Sequence, residues 1–178
     1  GSHIVNILAR SGVGKIYAVD FDTVDISNLH RQLYRISQIG MKKTSAIKEI
    51  VREANPFCRL ISFDMKFSAE DEDSLNRTAE IISQSDIVCE AFDNAESKAE
   101  LVNFCLERFP EKAVVCASGM AGEGSANLIE TKRKMKNLYL CGDETSEVNE
   151  NQGMFCSRVS VCASHQAHMI IRLISGET

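Results

Sequence analysis

No segment of the 178-residue sequence approaches the roughly 20 apolar residues that a bilayer-spanning helix needs. The N-terminus shows no basic start followed by an apolar run, so no secretory signal is visible. Two prolines and ten glycines exclude a collagen-like or low-complexity chain. No two of the seven cysteines are spaced Cys-x-x-Cys, which removes the usual framework of a structural zinc site, so zinc is not supported. Basic residues are not in excess: the formal net charge of -5 disfavours nucleic acid as a partner. What is present is ordinary for a globular protein, 44% hydrophobic and 25% charged residues, enough for one sizeable core. At about 150 residues per domain, residues 1–178 read as a single domain.

The cysteines Cys58, Cys89, Cys105, Cys116, Cys141, Cys156 and Cys162 are odd in number, and several sit inside apolar runs such as Val114-Val115-Cys116. Reduced buried cysteine behaves as a small hydrophobe, and the expected compartment is a reducing cytoplasm.

Periodicity predicts a helix from His3 to Ser11, stopped by Gly12-Val13-Gly14, and a buried strand from Lys15 to Asp20. Ser27 to Ile39 reads as irregular or as short helical turns. Lys42 to Ala54 carries Ala46, Ile47, Ile50, Val51 and Ala54 on one helical face and ends at Asn55-Pro56. A strand from Arg59 to Met65 and a helix from Ser68 to Ser83, with serine as its cap, come next. Asp86 to Phe92 is a buried strand, Ala95 to Phe109 a helix, and Lys112 to Ser118 another strand. Ser125 to Thr131 and Leu138 to Cys141 are further strand candidates, Asp143 to Gly153 a polar, mobile loop, and Ser157 to Ile174 a closing helix. Strands alternating with helices predict an α/β fold, a Rossmann-like, mostly parallel sheet with helices on both faces. The sequence opens on a helix, however, so the first strand and the glycine-rich loop of such a fold are missing from it. Gly1-Ser2 is either the tail of that loop or a cloning remnant.

In such sheets ligands bind beyond the carboxyl ends of the strands. Two ends are rich in polar groups: Asp20-Phe21-Asp22 and Phe92-Asp93-Asn94, with Ser118-Gly119 a weaker third. Asp20 is placed to accept hydrogen bonds from ribose hydroxyls. Asn28, Arg31 and Gln32 follow on a short turn where they can face phosphates, arginine as a planar fork of donors. Lys43 adds a point charge at the start of the next helix. Asp93 can hold magnesium beside nucleotide phosphates, and Lys98 can balance that charge or touch phosphate. Each residue alone has a plainer role: an acid after a strand is often a helix cap, and single cations are usually solvated. The combination is far more specific than its parts.

The stretch GVGKIYAVDFDTVDISNLHRQ, the Gly40-x-x-Lys43 that follows, and AFDNAESK resemble the ThiF/MoeB/HesA superfamily of adenylating enzymes, relatives of ubiquitin-activating enzymes. The resemblance covers nearly the whole chain and is nearest to the short ThiF-type proteins that activate the sulfur carrier ThiS. It implies that Asp20 and its neighbour Asp22 lie at the ribose and that Asn28, Arg31, Gln32 and Lys43 contact ATP. It further implies that Asp93 binds Mg2+, with Asn94 beside it, and that Arg31, Lys43 and Asp93 carry the catalysis. Lys98 stands where many members have arginine. The implied partners are a ubiquitin-like sulfur carrier protein and a second copy of the chain; the implied pathway is thiamine thiazole biosynthesis. Some members use a cysteine covalently; Cys141 and Cys156 flank the acidic loop, and Arg158 lies near Cys156. His165 and His168 share a helix face and suit packing or surface roles.

The implied reaction joins the C-terminal glycine carboxylate of the carrier to the α-phosphate of ATP. A terminal carboxylate, with a pKa of about 3.5, is already ionised, so no general base is required. Charge is the obstacle, and cations and donors are the remedy. Three other readings compete: a relative that adenylates a molybdopterin-type carrier or a modified tRNA base, a NAD-dependent oxidoreductase, and an inactive half of a heterodimer.

Overall fold

The computed structural model describes residues 1–148 and 153–177. Helix α1 (Ser2–Arg10) leads through Gly12 into strand β1 (Lys15–Asp20). Two 3-10 turns, Ile26–Asn28 and Ile36–Gln38, precede helix α2 (Lys43–Ala54), strand β2 (Arg59–Asp64) and helix α3 (Glu72–Ser83). The second half runs β3 (Ile87–Cys89), α4 (Ala95–Arg108), β4 (Ala113–Ala117), a 3-10 turn at Ala126–Leu128, β5 (Glu130–Met135), β6 (Leu138–Gly142) and α5 (Cys156–Ser175).

Among the described residues the named strands pair in parallel except for the edge pair β5–β6. Alternation of side chains across the strands sorts the core into two layers. Val115, Ala117, Tyr139 and Cys141 face α1, α2 and α5. Val114, Cys116 and Leu138 face Ile82 of α3 and Leu101, Phe104 and Cys105 of α4. Helices therefore cover both faces, as the alternating pattern predicts. The hydrogen-bonded strands form two blocks, β1–β2 and β3–β4–β6–β5. The beginning of α1 lies between them: a Cβ on Gly1 would be 3.8 Å from that of Ala91, just past β3, and Gly1 is in electrostatic reach of Asp20 at the end of β1.

Several boundaries differ from the sequence expectations, each for a local reason. Helix α3 starts at Glu72 because Asp71, not Ser68, caps it, accepting from the Asp73 amide; the Ser68 amide is instead bonded to Ser74 Oγ. Residues 126–128, expected as strand, make a 3-10 turn capped by Ser125 before β5 begins. Beyond β4 and β6 the chain crosses itself closely. Gly142 has φ +147° and a Cβ there would fall 1.6 Å from the Ser118 carbonyl oxygen, so only glycine fits.

The expected mobile loop, 143–153, is pinned at its start: the Asp143 side chain is buried and ion-paired with Arg158 of α5. Residues 149–152 of that expectation lie outside the described residues. Arg158 also donates to the Ala121 carbonyl at 2.7 Å, so one guanidinium ties α5 to both loops. No helix among the described residues is long and apolar enough to cross a membrane.

Candidate active site

The end of β1 turns sharply because Asp20 Oδ1 accepts the Asp22 amide at 2.9 Å. That turn brings Asp22 to Lys43, whose Nζ lies 2.6 Å from Asp22 Oδ2, while the Lys43 amide donates to the Asp22 carbonyl. The strand end and the first residue of α2 are thus joined twice. Burial raises the Asp20 carboxyl above its ordinary value; the Asp22 amide and the Lys43 charge oppose that, and the Asp22 charge adds to it. Tyr34, buried nearby, has its phenol raised by burial and then by the Asp20 and Asp22 carboxylates. Tyr34 is therefore within electrostatic reach of these two acids, and its sequence context gives no sign of it.

The segment between β1 and α2 wraps the first turn of α1. Ser2 Oγ accepts the Leu33 amide at 3.2 Å, and His3 Nε2 bonds the Arg31 carbonyl at 3.0 Å. Asn28 is buried; its side-chain oxygen accepts the Asp25 amide, and Asp25 in turn caps the 3-10 turn. The oxygen of Asn28 is therefore committed to the fold. Arg31 is half-buried and spends one guanidinium nitrogen on the Ser27 carbonyl. Gln32 is half-buried on the same turn, its amide bonded to the Asn28 carbonyl. The backbone of Arg31 and Leu33 thus touches the first turn of α1, and Asp20 and Lys43 lie within electrostatic reach of Gly1, at a helix N-terminus where backbone N–H groups and the helix dipole favour an anion.

Across α1 stands the turn from β3 to α4. Gly1 is within electrostatic reach of Glu90 as well as of Asp20 and Lys43, so the two strand ends flank one place. Asp93 is exposed on this turn, and no hydrogen-bond or ion-pair partner for its carboxylate is found among the described residues. Asn94 is the N-cap of α4, its side chain accepting the Ser97 amide at 2.9 Å. Lys98 is paired with an acid: its Nζ is 2.8 Å from Oε2 of Glu90, a residue with no exposed surface.

The cysteines divide by burial. Cys141, on β6 beside Thr131 of β5, is buried with its thiol pushed up by burial, although Thr131 opposes the shift, and the thiols of Cys89, Cys116 and Cys162 are pushed up to about 12. A thiol so raised is not a nucleophile near neutral pH. Cys156 alone of the two flanking cysteines is exposed, at the start of α5. His165 packs against Thr131, Nδ1 to Oγ1 3.0 Å, beside a cavity of about 270 Å³ between β5 and α5. Among the described residues no three His, Cys, Asp or Glu side chains cluster as a metal site.

Mostly parallel strands with helices on both faces define an α/β protein of the Rossmann-like class, whose ligands bind at the strand ends. The sequence matches the ThiF family over residues 1–178, and the chain belongs to that family. Among curated relatives, the probable molybdopterin-synthase adenylyltransferase of Porphyra purpurea is 41% identical over 108 residues, 60% of this chain and 27% of the relative. The tRNA threonylcarbamoyladenosine dehydratase of Haemophilus influenzae is 38% identical over 107 residues, 59% of this chain and 39% of the relative. The chain therefore spans less than half the length of these relatives. The crystal structure of the E. coli tRNA N6-threonylcarbamoyladenosine dehydratase in complex with AMP shares the fold, with a TM-score of 0.85 at 18% identity over 99% of this chain and 82% of that one.

Proposed function

We propose that this chain binds ATP and adenylates the C-terminal glycine carboxylate of a ubiquitin-like sulfur carrier protein. The observation that carries the reading is the meeting of Lys43 and the α1 N-terminus beside Asp20, with the Arg31 backbone bonded to α1 and Asp93 on the turn after β3. Asp20 accepts hydrogen bonds from the ribose, and Asn28 (through its amide nitrogen), Arg31, Gln32 and Lys43 meet the phosphates. A carboxylate oxygen of the carrier attacks the α-phosphorus, the bond to the bridging oxygen of the β-phosphate breaks, and pyrophosphate leaves. No proton moves, so the site needs no Ser-His or Cys-His pair. It needs fixed positive charge to bring an anion to a polyanion, and it holds that charge preorganised.

Magnesium fits this donor set: a lone carboxylate at a strand end suits an ion that takes one or two carboxylates and completes its shell with phosphate oxygens and water. When bound, it neutralises phosphate charge. Asp93 would hold it, and Asn94 fixes the start of α4 beside it.

The finer reading is a ThiS-like carrier in thiamine thiazole biosynthesis, with the chain acting as a homodimer in the cytoplasm. The similarity to enzymes named for molybdopterin synthase and for a modified tRNA base supports adenylation without singling out the acceptor. The net charge of -5 favours a protein acceptor over tRNA. The test is ATP–pyrophosphate exchange with a ThiS-type carrier, with the same carrier amidated at its C-terminus, and with tRNA. Exchange with the free carboxylate alone is expected. Exchange supported by tRNA and not by the carrier would overturn the choice of acceptor.

A further inference from the structure

Glu90 is the one acid among the largest fully buried side chains, set where β3 ends in an otherwise apolar run. Taking a carboxylate fully out of water is expensive, and replacing a buried ion pair by neutral groups of similar shape is often neutral or stabilising. Stability alone therefore does not call for an acid here. The geometry shows what this one grips. Oε1 accepts the Phe92 amide at 2.5 Å, and Oε2 accepts the Ala117 amide, at the end of β4, at 3.4 Å. Both oxygens meet Lys98 Nζ, at 3.0 and 2.8 Å, from the second turn of α4. The backbone of Glu90 is itself fixed: its amide donates to Val115, and its carbonyl accepts from Gln166 of α5 at 2.9 Å.

Phe92 directly precedes Asp93, and Lys98 lies just beyond the Asn94 cap. One carboxylate thus holds the turn at both flanks, and Asp93 is the exposed residue between them. We infer that the Glu90–Lys98 pair is a clamp that positions Asp93 toward the nucleotide, making Glu90 and Lys98 positioning residues. The inference rests on the adenylation reading above, because it assigns the clamp a purpose only if Asp93 serves the phosphates and their metal.

The test uses the double variant Glu90→Gln/Lys98→Met, which removes both charges while keeping both shapes, so it is expected to fold, with a lower melting temperature because the new amide nitrogen faces the Ala117 amide. The amide oxygen still meets Phe92, but nothing joins it to α4. Residues that orient a metal ligand typically govern 10–100-fold in metal affinity or activity. The expected result is therefore a rise of about tenfold or more in the magnesium concentration that half-saturates ATP–pyrophosphate exchange. ATP affinity measured without metal should be unchanged. In the ligand-free protein, amide hydrogen exchange across Asp93–Ser97 should become faster. Lys98→Arg, which keeps the cation, should restore parent behaviour in the first and third readouts.

Unchanged magnesium half-saturation in a folded double variant overturns the inference, whether or not its melting temperature falls. Asp93→Ala, run in parallel, separates the two levels. If Asp93→Ala abolishes activity while the double variant matches the parent, only the clamp is wrong. If Asp93→Ala leaves activity intact, the adenylation reading beneath it has failed and the clamp falls with it.

Discussion

Lys43→Met separates what this site does for stability from what it does for chemistry. The ammonium is 2.6 Å from Asp22 Oδ2, with the lysine side chain 11% exposed and the aspartate 44%. A half-solvated pair of this kind contributes at most about 1 kcal/mol. Methionine keeps most of the aliphatic stem and its packing. In a chain of this size each kcal/mol moves the melting temperature by roughly 2–4 °C, so the variant should melt within about 4 °C of the parent. Catalysis should suffer far more. Removing one preorganised group that faces developing charge costs on the order of 100-fold, equivalent to about 2.7 kcal/mol. The assay is kcat/KM for carrier-dependent ATP–pyrophosphate exchange, with thermal melting of the same preparation. A loss of only two- or threefold in a folded protein would refute the phosphate role of Lys43 and reduce it to the partner of Asp22.

Asp20→Ala should weaken ATP binding by calorimetry, and an unchanged affinity would dismiss the ribose assignment. Arg158→Met leaves the buried Asp143 carboxylate unpaired and should cost about 3–5 kcal/mol; a melting temperature within 2 °C of the parent would contradict the anchoring role. Burial alone would raise the Asp143 carboxyl, but hydrogen bonds from Ser146, Thr145 and Arg158 outweigh it and hold the group well below the ordinary carboxylate range. Its contribution to stability is thus fully present above an unfolded value of about 4 and is lost as pH falls further, toward the lower folded value. Melting followed from pH 6 to pH 2 should show that loss in the parent and a smaller loss in Arg158→Met, in which Ser146 and Thr145 still hold the carboxylate; equal acid sensitivity would count against the pair.

Elements with a strong period were legible in the sequence. Lys15–Asp20, Lys43–Ala54 and Ala95–Arg108 appear where the apolar run or the helical stripe places them, since burial of one face decides both pattern and structure. Polarity proved a poorer guide. Asp143 reads as loop because it is charged, yet its side chain is buried, since Arg158, 15 residues later, reaches it. Sequence order does not reveal which distant cation an acid will meet.

The same difficulty affected the site. Asp20, Asp22 and Lys43 fall within one short stretch, and their cluster was visible. From the sequence Lys98 reads as a group for charge balance or phosphate, because its partner, Glu90, lies inside the mainly apolar run DIVCEAF. An acid in an otherwise apolar strand, with a cation eight residues on, is the signal that could have found the pair. The division of the strands into two blocks, and the place of α1 between them, depend on pairings that periodicity does not encode.

The central claim is that Asp93 completes a cationic nucleotide site built for carboxylate adenylation. ATP–pyrophosphate exchange by Asp93→Ala, driven by a carrier with a free C-terminal carboxylate, tests it most directly. The account predicts that exchange is abolished while the fold, read by circular dichroism and melting, is retained; near-parental exchange in the folded variant would contradict it.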